Sequence, residues 1–202
     1  MPHYFDSQPT SAENPGTASV RIAGNDFIFD TAGGVFSSRR VDYGTLLLIE
    51  SAISDLRASG FLGERMLDLG CGYGPVGIAL KRVFPDVEAV FTDINVRALQ
   101  LAESNTKKNR ISGATFIQSD GYHSIQGMFD LILTNPPIRA GKAVVQSFFA
   151  GAYERLNPAG MLYTVIQKKQ GAPSASAYLE KKFGNCLVIE KSAGYRVLKC
   201  IR

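Results

Sequence analysis

Between residues 65 and 135, short apolar runs alternate with stretches of helical periodicity. The apolar runs cover residues 65–70, 87–93, 114–120 and 129–135, and two of the three intervals between them have helical patterns, at 74–84 and 95–109. Parallel strands that are buried on both faces have continuous apolar sequences, and a helix generally connects one to the next. The alternation therefore predicts βαβ units in a doubly wound α/β sheet.

The flanking segments extend this pattern in both directions. A helix is predicted over residues 42–60, and the second half continues with a helix near 142–156, a strand at 160–168 and a helix near 174–183. Two strand-like segments, 186–192 and 195–202, are joined only by Ala193-Gly194. A parallel crossover needs a dozen or more residues, so these two strands must be antiparallel. The prediction is a seven-stranded, mostly parallel sheet that ends in an antiparallel hairpin.

The first forty residues differ in composition from the rest. Residues 6–19 are rich in Ser, Thr and Pro, which predicts a mobile arm. Residues 20–37 alternate apolar and polar side chains around two Gly-containing turns, which predicts a hairpin or two short strands. We therefore divide the chain into an N-terminal arm with a small β cap, 1–40, and a main domain, 41–202.

Composition excludes several classes of protein. The 202 residues contain no apolar run of transmembrane length, the N-terminus does not resemble a signal peptide, and the three Cys have no CxxC spacing. We expect a cytoplasmic protein without a membrane partner, a disulfide framework or a metal site. Residues 144–202 carry 9 basic and 3 acidic side chains, which suits a polyanionic partner, although solvated outer faces would explain the charge equally well.

A glycine-rich segment lies where the first strand gives way to a helix. Gly70, Gly72 and Gly74 permit a tight turn, let a ligand approach the backbone and precede the free N–H groups of a helix. The segment also contains a dinucleotide-type GxGxxG, but Asp68 two residues before the turn would repel a pyrophosphate. The same carboxylate would favour a cationic ligand.

Two further acidic residues follow strand ends at the same predicted cleft. Asp93 follows the second strand, where a carboxylate can accept hydrogen bonds from a ribose diol. Asp120 follows the third strand, where it could accept from an adenine amino group. Either residue alone would be explained by a helix cap or turn, and it is their register with the glycine segment that favours a ligand.

The fourth strand ends in Thr134-Asn135-Pro136-Pro137-Ile138. Two prolines have no N–H group for a ladder, so the chain must leave the sheet in a stiff, extended turn. Such a turn presents the Asn135 side chain and the carbonyls of Asn135 and Pro136 at the carboxyl edge of the sheet. Acceptors placed in this way can hold a planar amino group by both hydrogens, although a simple strand-ending turn has the same sequence.

Together, the segments DLGCGYGPVG, FTDIN and NPPI and the residue Asp120 resemble the class I S-adenosylmethionine-dependent methyltransferases, in the small-domain branch that methylates nitrogen. Residues 33–50 and 135–142 resemble the ribosomal RNA small-subunit guanine-N2 methyltransferases, in their single-domain form. The resemblance implies a Rossmann-like fold and S-adenosylmethionine as cofactor. It also implies methyl transfer to the N2 amino group of a guanine, with ribosomal RNA or the small subunit as partner.

The resemblance also implies roles for individual residues. The cofactor would be bound by Asp68, Gly70, Gly72, Gly74, Asp93, Asp120, Asn135 and Thr45, with Asp42 and Gly44 beside Thr45 at the start of the preceding helix. The catalytic segment would be Asn135, Pro136, Pro137 and Ile138. Many relatives have an aromatic residue where this chain has Ile138, so we expect Phe36 to stack on the target base, unless it belongs to the core of the cap. Arg139 and Lys142, and also Arg39 and Arg40, would contact RNA phosphates.

Three alternatives remain open at this stage. The same acceptors would suit the amide of a protein glutamine, although the aromatic residue expected after the two prolines is missing. A non-catalytic RNA-binding module could retain the cofactor fold. A nicotinamide oxidoreductase is disfavoured by Asp68 and by the two prolines.

Overall fold

The computed structural model describes residues 14–35, 37 and 40–202. Its strands are β1 (Gly16–Ile22), β2 (Asn25–Thr31), β3 (Arg65–Leu69), β4 (Glu88–Asp93), β5 (Ala114–Gln118), β6 (Phe129–Thr134), β7 (Leu156–Gln167), β8 (Leu187–Ser192) and β9 (Tyr195–Ile201). Its helices are α1 (Tyr43–Ser59), α2 (Pro75–Val83), α3 (Val96–Lys108), α4 (Lys142–Arg155) and α5 (Ala172–Phe183). No helix in this part of the chain combines the length and apolar character that a bilayer crossing requires.

Seven strands form one sheet in the order β5-β4-β3-β6-β7-β9-β8. The pairs from β5 to β7 are parallel, and β9 is antiparallel to both β7 and β8. This confirms the predicted class I methyltransferase topology with its terminal antiparallel hairpin. The strand order reverses at β3, which pairs with β4 on one side and β6 on the other, and ligands of open α/β sheets bind outside the carboxyl ends of strands at such a point.

Helices cover both faces of the sheet. One apolar cluster joins α1, α2 and α3 to the first face, and a second joins α4 and α5 to the other. Helix α1 begins and ends where the sequence indicates, because Asp42 caps its first turn and Gly60 ends it in the left-handed conformation at φ 64°.

The β1–β2 hairpin forms a separate two-stranded sheet and packs on α3 through two asparagines. Asn105 Oδ1 accepts the Asp30 N–H at 2.7 Å, and its Nδ2 donates to the Asp30 carbonyl at 2.9 Å. Asn109, one turn later, makes the same pair of bonds to Ile28. The two side-chain amides thus make the hydrogen bonds to the β2 backbone that a neighbouring strand would make. Phe27 and Phe29 of β2 pack into the apolar cluster under α1, α2 and α3.

Two strands begin four residues earlier than predicted. Residues 16–19, assigned to the mobile arm, are the first part of β1 because they pair with residues 28–31 of β2, and residues 6–13 lie outside the described residues. Strand β7 begins at Leu156, four residues earlier than predicted. Leu156 pairs with Phe129, and the next pair along the two strands is Met161 with Leu131. The turn-like residues of β7 lie between these two pairs, where the register of the ladder shifts.

Candidate active site

A cavity of about 330 Å³ opens at the carboxyl edge of β3, β4 and β6, and this volume lies within the range of small-molecule sites. Most of its lining comes from the strand ends and the loops that follow them. The lining includes Thr45, Asp68, Gly70, Cys71, Gly72, Tyr73, Asp93, Asp120, Asn135, Pro136, Pro137, Ala140, Val144 and Phe148. The structure therefore brings together most of the predicted site residues, including acidic groups from three different strand ends.

The glycine segment forms the floor of the cavity. Gly70 and Gly72 have φ values of 69° and 57°, a conformation that side-chain-bearing residues rarely adopt. The Gly72 N–H donates to Asp93 Oδ2 at 2.8 Å, which ties the loop to the end of β4. Gly74 is not a lining residue: a Cβ there would lie 3.0 Å from Ile78 and 3.2 Å from Ala102. Gly74 thus allows α2 to pack closely on α3, and its contact with the cofactor stays a prediction.

Asp68 lies at the base of the cavity with 2% of its surface exposed. Its Oδ2 accepts the Gly77 N–H at 2.8 Å. Burial raises the pKa of Asp68 to about 7, and the nearby Asp93 charge adds to this rise, whereas the Gly77 hydrogen bond opposes it. The carboxyl group would become fully ionised most readily when a positive charge is brought into the cavity.

Asp93 is held by backbone groups on both carboxylate oxygens. Oδ2 accepts from Gly72, and Oδ1 accepts the Asn95 N–H at 2.9 Å. Burial raises the pKa of Asp93, while the N–H groups of Asn95, Gly72 and Ile94 lower it. Each carboxylate oxygen can accept a second hydrogen bond, so Asp93 can also receive hydroxyl donors from the cavity. Asp120 is exposed and lies at the rim, as a loop residue after β5.

Asn135 is oriented by the first turn of α1. Its Nδ2 donates to Thr45 Oγ1 at 2.9 Å and approaches Asp42 Oδ2 at 3.5 Å. The Asp42 carboxylate also caps α1 by accepting the Thr45 N–H at 3.1 Å. Because an ionised carboxylate can only accept hydrogen bonds, the amide NH2 must face Asp42, which leaves Asn135 Oδ1 as an acceptor on the other side of the amide.

The two prolines, Pro136 and Pro137, line the cavity. Thr134 donates from Oγ1 to the Leu69 carbonyl at 2.8 Å and so ties the end of β6 to the end of β3. Ile138 does not line the cavity: it begins a short 3₁₀ turn, 138–140, and packs against the apolar cluster under α4 and α5. Its side chain is half-buried, and the assignment of Ile138 to the catalytic segment stays a prediction.

The predicted RNA-contacting residues have different outcomes. Arg139 and Lys142 are exposed beside the cavity and are not lining residues. Their proximity to the Pro137 turn agrees with contact to a ligand that extends out of the cavity. Phe36 and Arg39 lie outside the described residues.

Two aromatic residues of the lining were not assigned from sequence. Phe148, in α4, forms the wall opposite Gly70, where a Cβ would lie 3.5 Å from its ring. Tyr73 is buried against Phe29 of the hairpin, with ring centroids 5.8 Å apart. The inward face of the helix after the two prolines could have indicated Phe148, whereas the contact of Tyr73 with the hairpin could not be predicted locally. Burial raises the pKa of the Cys71 thiol well above its usual value, so Cys71 is unsuited to nucleophilic chemistry.

Comparison with known proteins identifies the family. The family model described as the methyltransferase small domain matches residues 26–199. The chain belongs to this family. The methyltransferase is 42% identical to the uncharacterized Bacillus subtilis protein YbxB, over 98% of this chain and 96% of that protein. It is 35% identical to ribosomal RNA small subunit methyltransferase C of Actinobacillus pleuropneumoniae, over 81% of this chain and 48% of that protein.

A solved structure is similar over almost the whole methyltransferase. The Thermus thermophilus 16S rRNA N2 methyltransferase RsmC, determined in complex with AdoMet and guanosine, superposes with a TM-score of 0.83 at 31% identity. The match covers 96% of this chain and 52% of that chain. This methyltransferase thus spans about half the length of the two ribosomal RNA methyltransferases and nearly all of YbxB.

The cofactor of the methyltransferase is S-adenosylmethionine, and the chemistry of the cavity fits it. A buried carboxyl at Asp68 suits a cationic ligand, since a positive charge stabilises its ionised form. The backbone-anchored Asp93 suits hydroxyl donors, and the glycine loop leaves the space that a side chain would fill.

Proposed function

We propose that this methyltransferase transfers a methyl group from S-adenosylmethionine to the exocyclic N2 amino group of a guanine in small-subunit ribosomal RNA. The observation that carries this proposal is the orientation of Asn135. Its amide NH2 is engaged by Thr45 and faces Asp42, so its Oδ1 acceptor remains for a substrate donor at the cavity wall formed by Pro136 and Pro137.

Two acceptors at this position suit an exocyclic amino group. Asn135 Oδ1 would accept one amino hydrogen and the Pro136 carbonyl the other. Two such bonds orient the nitrogen lone pair, which in free guanine is delocalised into the ring. When bound, the cofactor supplies a methyl group that is already activated by its sulfonium. The protein therefore needs to position the amine and does not need a strong base.

The similar proteins support ribosomal RNA as the substrate. One is named a small subunit ribosomal RNA methyltransferase, and another was solved with guanosine beside AdoMet. The carboxyl edge of the sheet exposes Arg139 and Lys142, which would hold phosphates around a base that has left its stack. Adenine also carries an exocyclic amino group, so the assignment to guanine rests on these relatives.

The test is transfer of labelled methyl from S-adenosylmethionine to RNA. Deproteinised ribosomal RNA and small subunits, both from a strain that lacks the gene, serve as substrates and are digested to nucleosides. We expect label in N2-methylguanosine. Label in N6-methyladenosine would retain the chemistry and overturn the assignment to guanine.

Two alternatives are separated by the same experiment. If no RNA is labelled but the protein binds S-adenosylmethionine, transfer to ribosomal proteins followed by amide analysis tests methylation of a glutamine side chain. Cofactor binding without any transfer would leave a non-catalytic module.

A further inference from the structure

At the carboxyl edge of the sheet, strands β7 and β9 extend further than β6, which ends just before Asn135. The last pair between β6 and β7 is Thr134 with Thr164, but β7 continues to Gln167 and pairs there with Tyr195 of β9. Three further residues extend a strand by about 10 Å. The turn between β8 and β9 is fastened to this extension, because the Lys168 N–H donates to the Gly194 carbonyl at 2.7 Å. This hairpin end forms a wall beside Asn135.

An aromatic pair lies on the α1 side of the wall. The rings of Tyr43 and Tyr195 are 5.8 Å apart between centroids and tilted by 51°. The Tyr43 hydroxyl is 2.7 Å from the Ser192 hydroxyl, which fixes the ring against the hairpin. Tyr43 is nevertheless 46% exposed, although the next two residues of α1, Gly44 and Thr45, are buried. A fixed and exposed aromatic ring is a surface on which a nucleic-acid base can stack.

The aromatic pair is close to Asn135. A Cβ at Gly44 would lie 2.7 Å from Tyr195 Cε1 and 3.1 Å from Asp42 Oδ2, so the ring and the carboxylate flank the same point. That carboxylate oxygen is the one that Asn135 Nδ2 approaches. The aromatic pair and Asn135, which we place at the reacting amine, therefore both lie beside the side chain of Asp42.

Cations surround this edge of the sheet. Among the described residues, six exposed basic residues lie there, on the segments just before α1, between β6 and the start of α4, after β7 and at the end of β8: Arg40, Arg139, Lys142, Lys168, Lys169 and Lys191. Asp120 and Glu190 are the exposed acidic residues near them in the described part of the chain. An excess of positive charge around an exposed aromatic ring suits single-stranded RNA, since phosphates pair with the cations while bases stack.

We propose that Tyr43 and Tyr195 form a stacking platform for a base in the RNA strand that carries the target nucleotide, and that the surrounding cations bind its phosphates. This inference rests on the proposed function, because it assigns the RNA surface of the same site. The platform supplies the aromatic contact that Ile138 cannot, since the Ile138 side chain has no aromatic ring.

The stacking contact is tested by comparing Tyr43→Ala with Tyr43→Phe. Loss of the ring should raise KM for ribosomal RNA about tenfold, with kcat changed less than threefold. Tyr43→Phe retains the ring and loses only the bond to Ser192, so it should stay within about twofold of wild type. Unchanged affinity for S-adenosylmethionine would show that α1 and the cavity remain intact. Equal KM values for wild type and Tyr43→Ala would overturn the stacking role.

The cationic surface is tested by charge reversal with a matched control. The double variant Lys168→Glu/Lys169→Glu reverses two positive charges at the carboxyl edge of the sheet. The control, Arg57→Glu/Lys181→Glu, makes the same change in net charge at the opposite edge, in the last turns of α1 and α5. Binding of fluorescein-labelled single-stranded ribosomal RNA fragments is followed by anisotropy over a range of salt. We expect at least a tenfold loss of affinity and a shallower salt dependence for the first variant only.

These outcomes separate the two proposals. If the wild type methylates ribosomal RNA but both double variants bind it equally well, the RNA surface is overturned and the proposed function stands. If the wild type transfers no methyl to RNA, the proposed function fails and the anisotropy titrations alone decide the surface. Failure of the wild type to bind RNA would overturn the surface as well.

Discussion

The side-chain amide of Asn135 donates to the hydroxyl of Thr45 at 2.9 Å, across 90 residues of sequence. This bond couples the turn after β6 to the first turn of α1, where Thr45 also donates its N–H to the capping Asp42. The helix cap therefore orients the residue that we place at the substrate. We regard Thr45 and Asp42 as positioning residues, since they act through Asn135.

Replacing Thr45 with Val should lower kcat about 10- to 100-fold, because the amide of Asn135 loses the partner that fixes its rotation. Thr45→Ser keeps the hydroxyl and should restore most of the activity. The measurement is single-turnover methyl transfer to small subunits, with binding of S-adenosylmethionine by calorimetry as the structural control. Similar rates for the Val and Ser variants would show that the bond has no positioning role.

Asn135→Ala should lower kcat on the order of 100- to 1000-fold, since it removes one of two acceptors that hold the reacting amine. Affinity for S-adenosylmethionine should stay within a few-fold of wild type, because Asp68, Asp93 and the glycine loop are unchanged. Asn185→Ala, a variant at the opposite edge of the sheet, controls for general effects of the substitution. Wild-type turnover by Asn135→Ala on the true substrate would disprove the positioning mechanism.

Asp68 should make cofactor binding depend on pH. Its pKa of about 7 means that the free protein holds a proton at this site below neutral pH, and a cationic ligand favours the ionised form. We therefore expect the Kd for S-adenosylmethionine to fall as pH rises from about 6 to about 8. Asp68→Asn should bind S-adenosylmethionine more weakly, and its Kd should not show this change with pH. Titration of the ligand itself would affect wild type and variant equally.

The same carboxyl should reduce the stability of the free protein as pH rises. Its pKa is about 7 when folded and 3.8 in the reference state, so between these values the native state binds more protons than the unfolded state. Relative to wild type, Asp68→Asn should gain up to roughly 1.4 kcal/mol in free energy of unfolding per pH unit over this interval, and nothing further above it. Urea denaturation at several pH values measures the difference. A constant difference would mean that Asp68 is not protonated in the native state.

The asparagine that binds the β cap should contribute strongly to stability. Asn105 is fully buried. Its side chain forms hydrogen bonds with the backbone N–H and carbonyl of Asp30 in the hairpin, and with the carbonyl of Tyr73 in the loop that lines the cavity. Asn105→Ala should cost about 2–4 kcal/mol in free energy of unfolding, because it leaves buried backbone groups without partners. Gln100→Ala, at an exposed position of the same helix, should change it by less than about 0.5 kcal/mol. Equal denaturation midpoints for the two variants would contradict this account.

Much of the fold follows from local sequence patterns. The apolar runs between residues 65 and 135, the helix cap at Asp42 and the short link at Ala193-Gly194 predict strands, helices and a terminal hairpin that the structure confirms. The boundary of β7 was missed because Asn157 to Gly160 has the composition of a turn, and only its pairing with β6 shows that the strand begins at Leu156. Local patterns succeed where each residue's environment is set by its neighbours in sequence.

Sequence patterns alone predict which edge of the sheet carries the cavity. Asp68, the glycine loop, Asp93 and the two prolines each lie at a strand end, and parallel strands necessarily bring such ends together. The direction in which each side chain points depends on the packing of the whole fold. The tertiary structure packs Ile138 against the apolar cluster under α4 and α5, packs Gly74 between α2 and α3, turns the amide of Asn135 toward Thr45, and sets Tyr43 against Tyr195. These relationships join residues far apart in the chain, so their energies depend on packing between elements, which no local sequence pattern encodes.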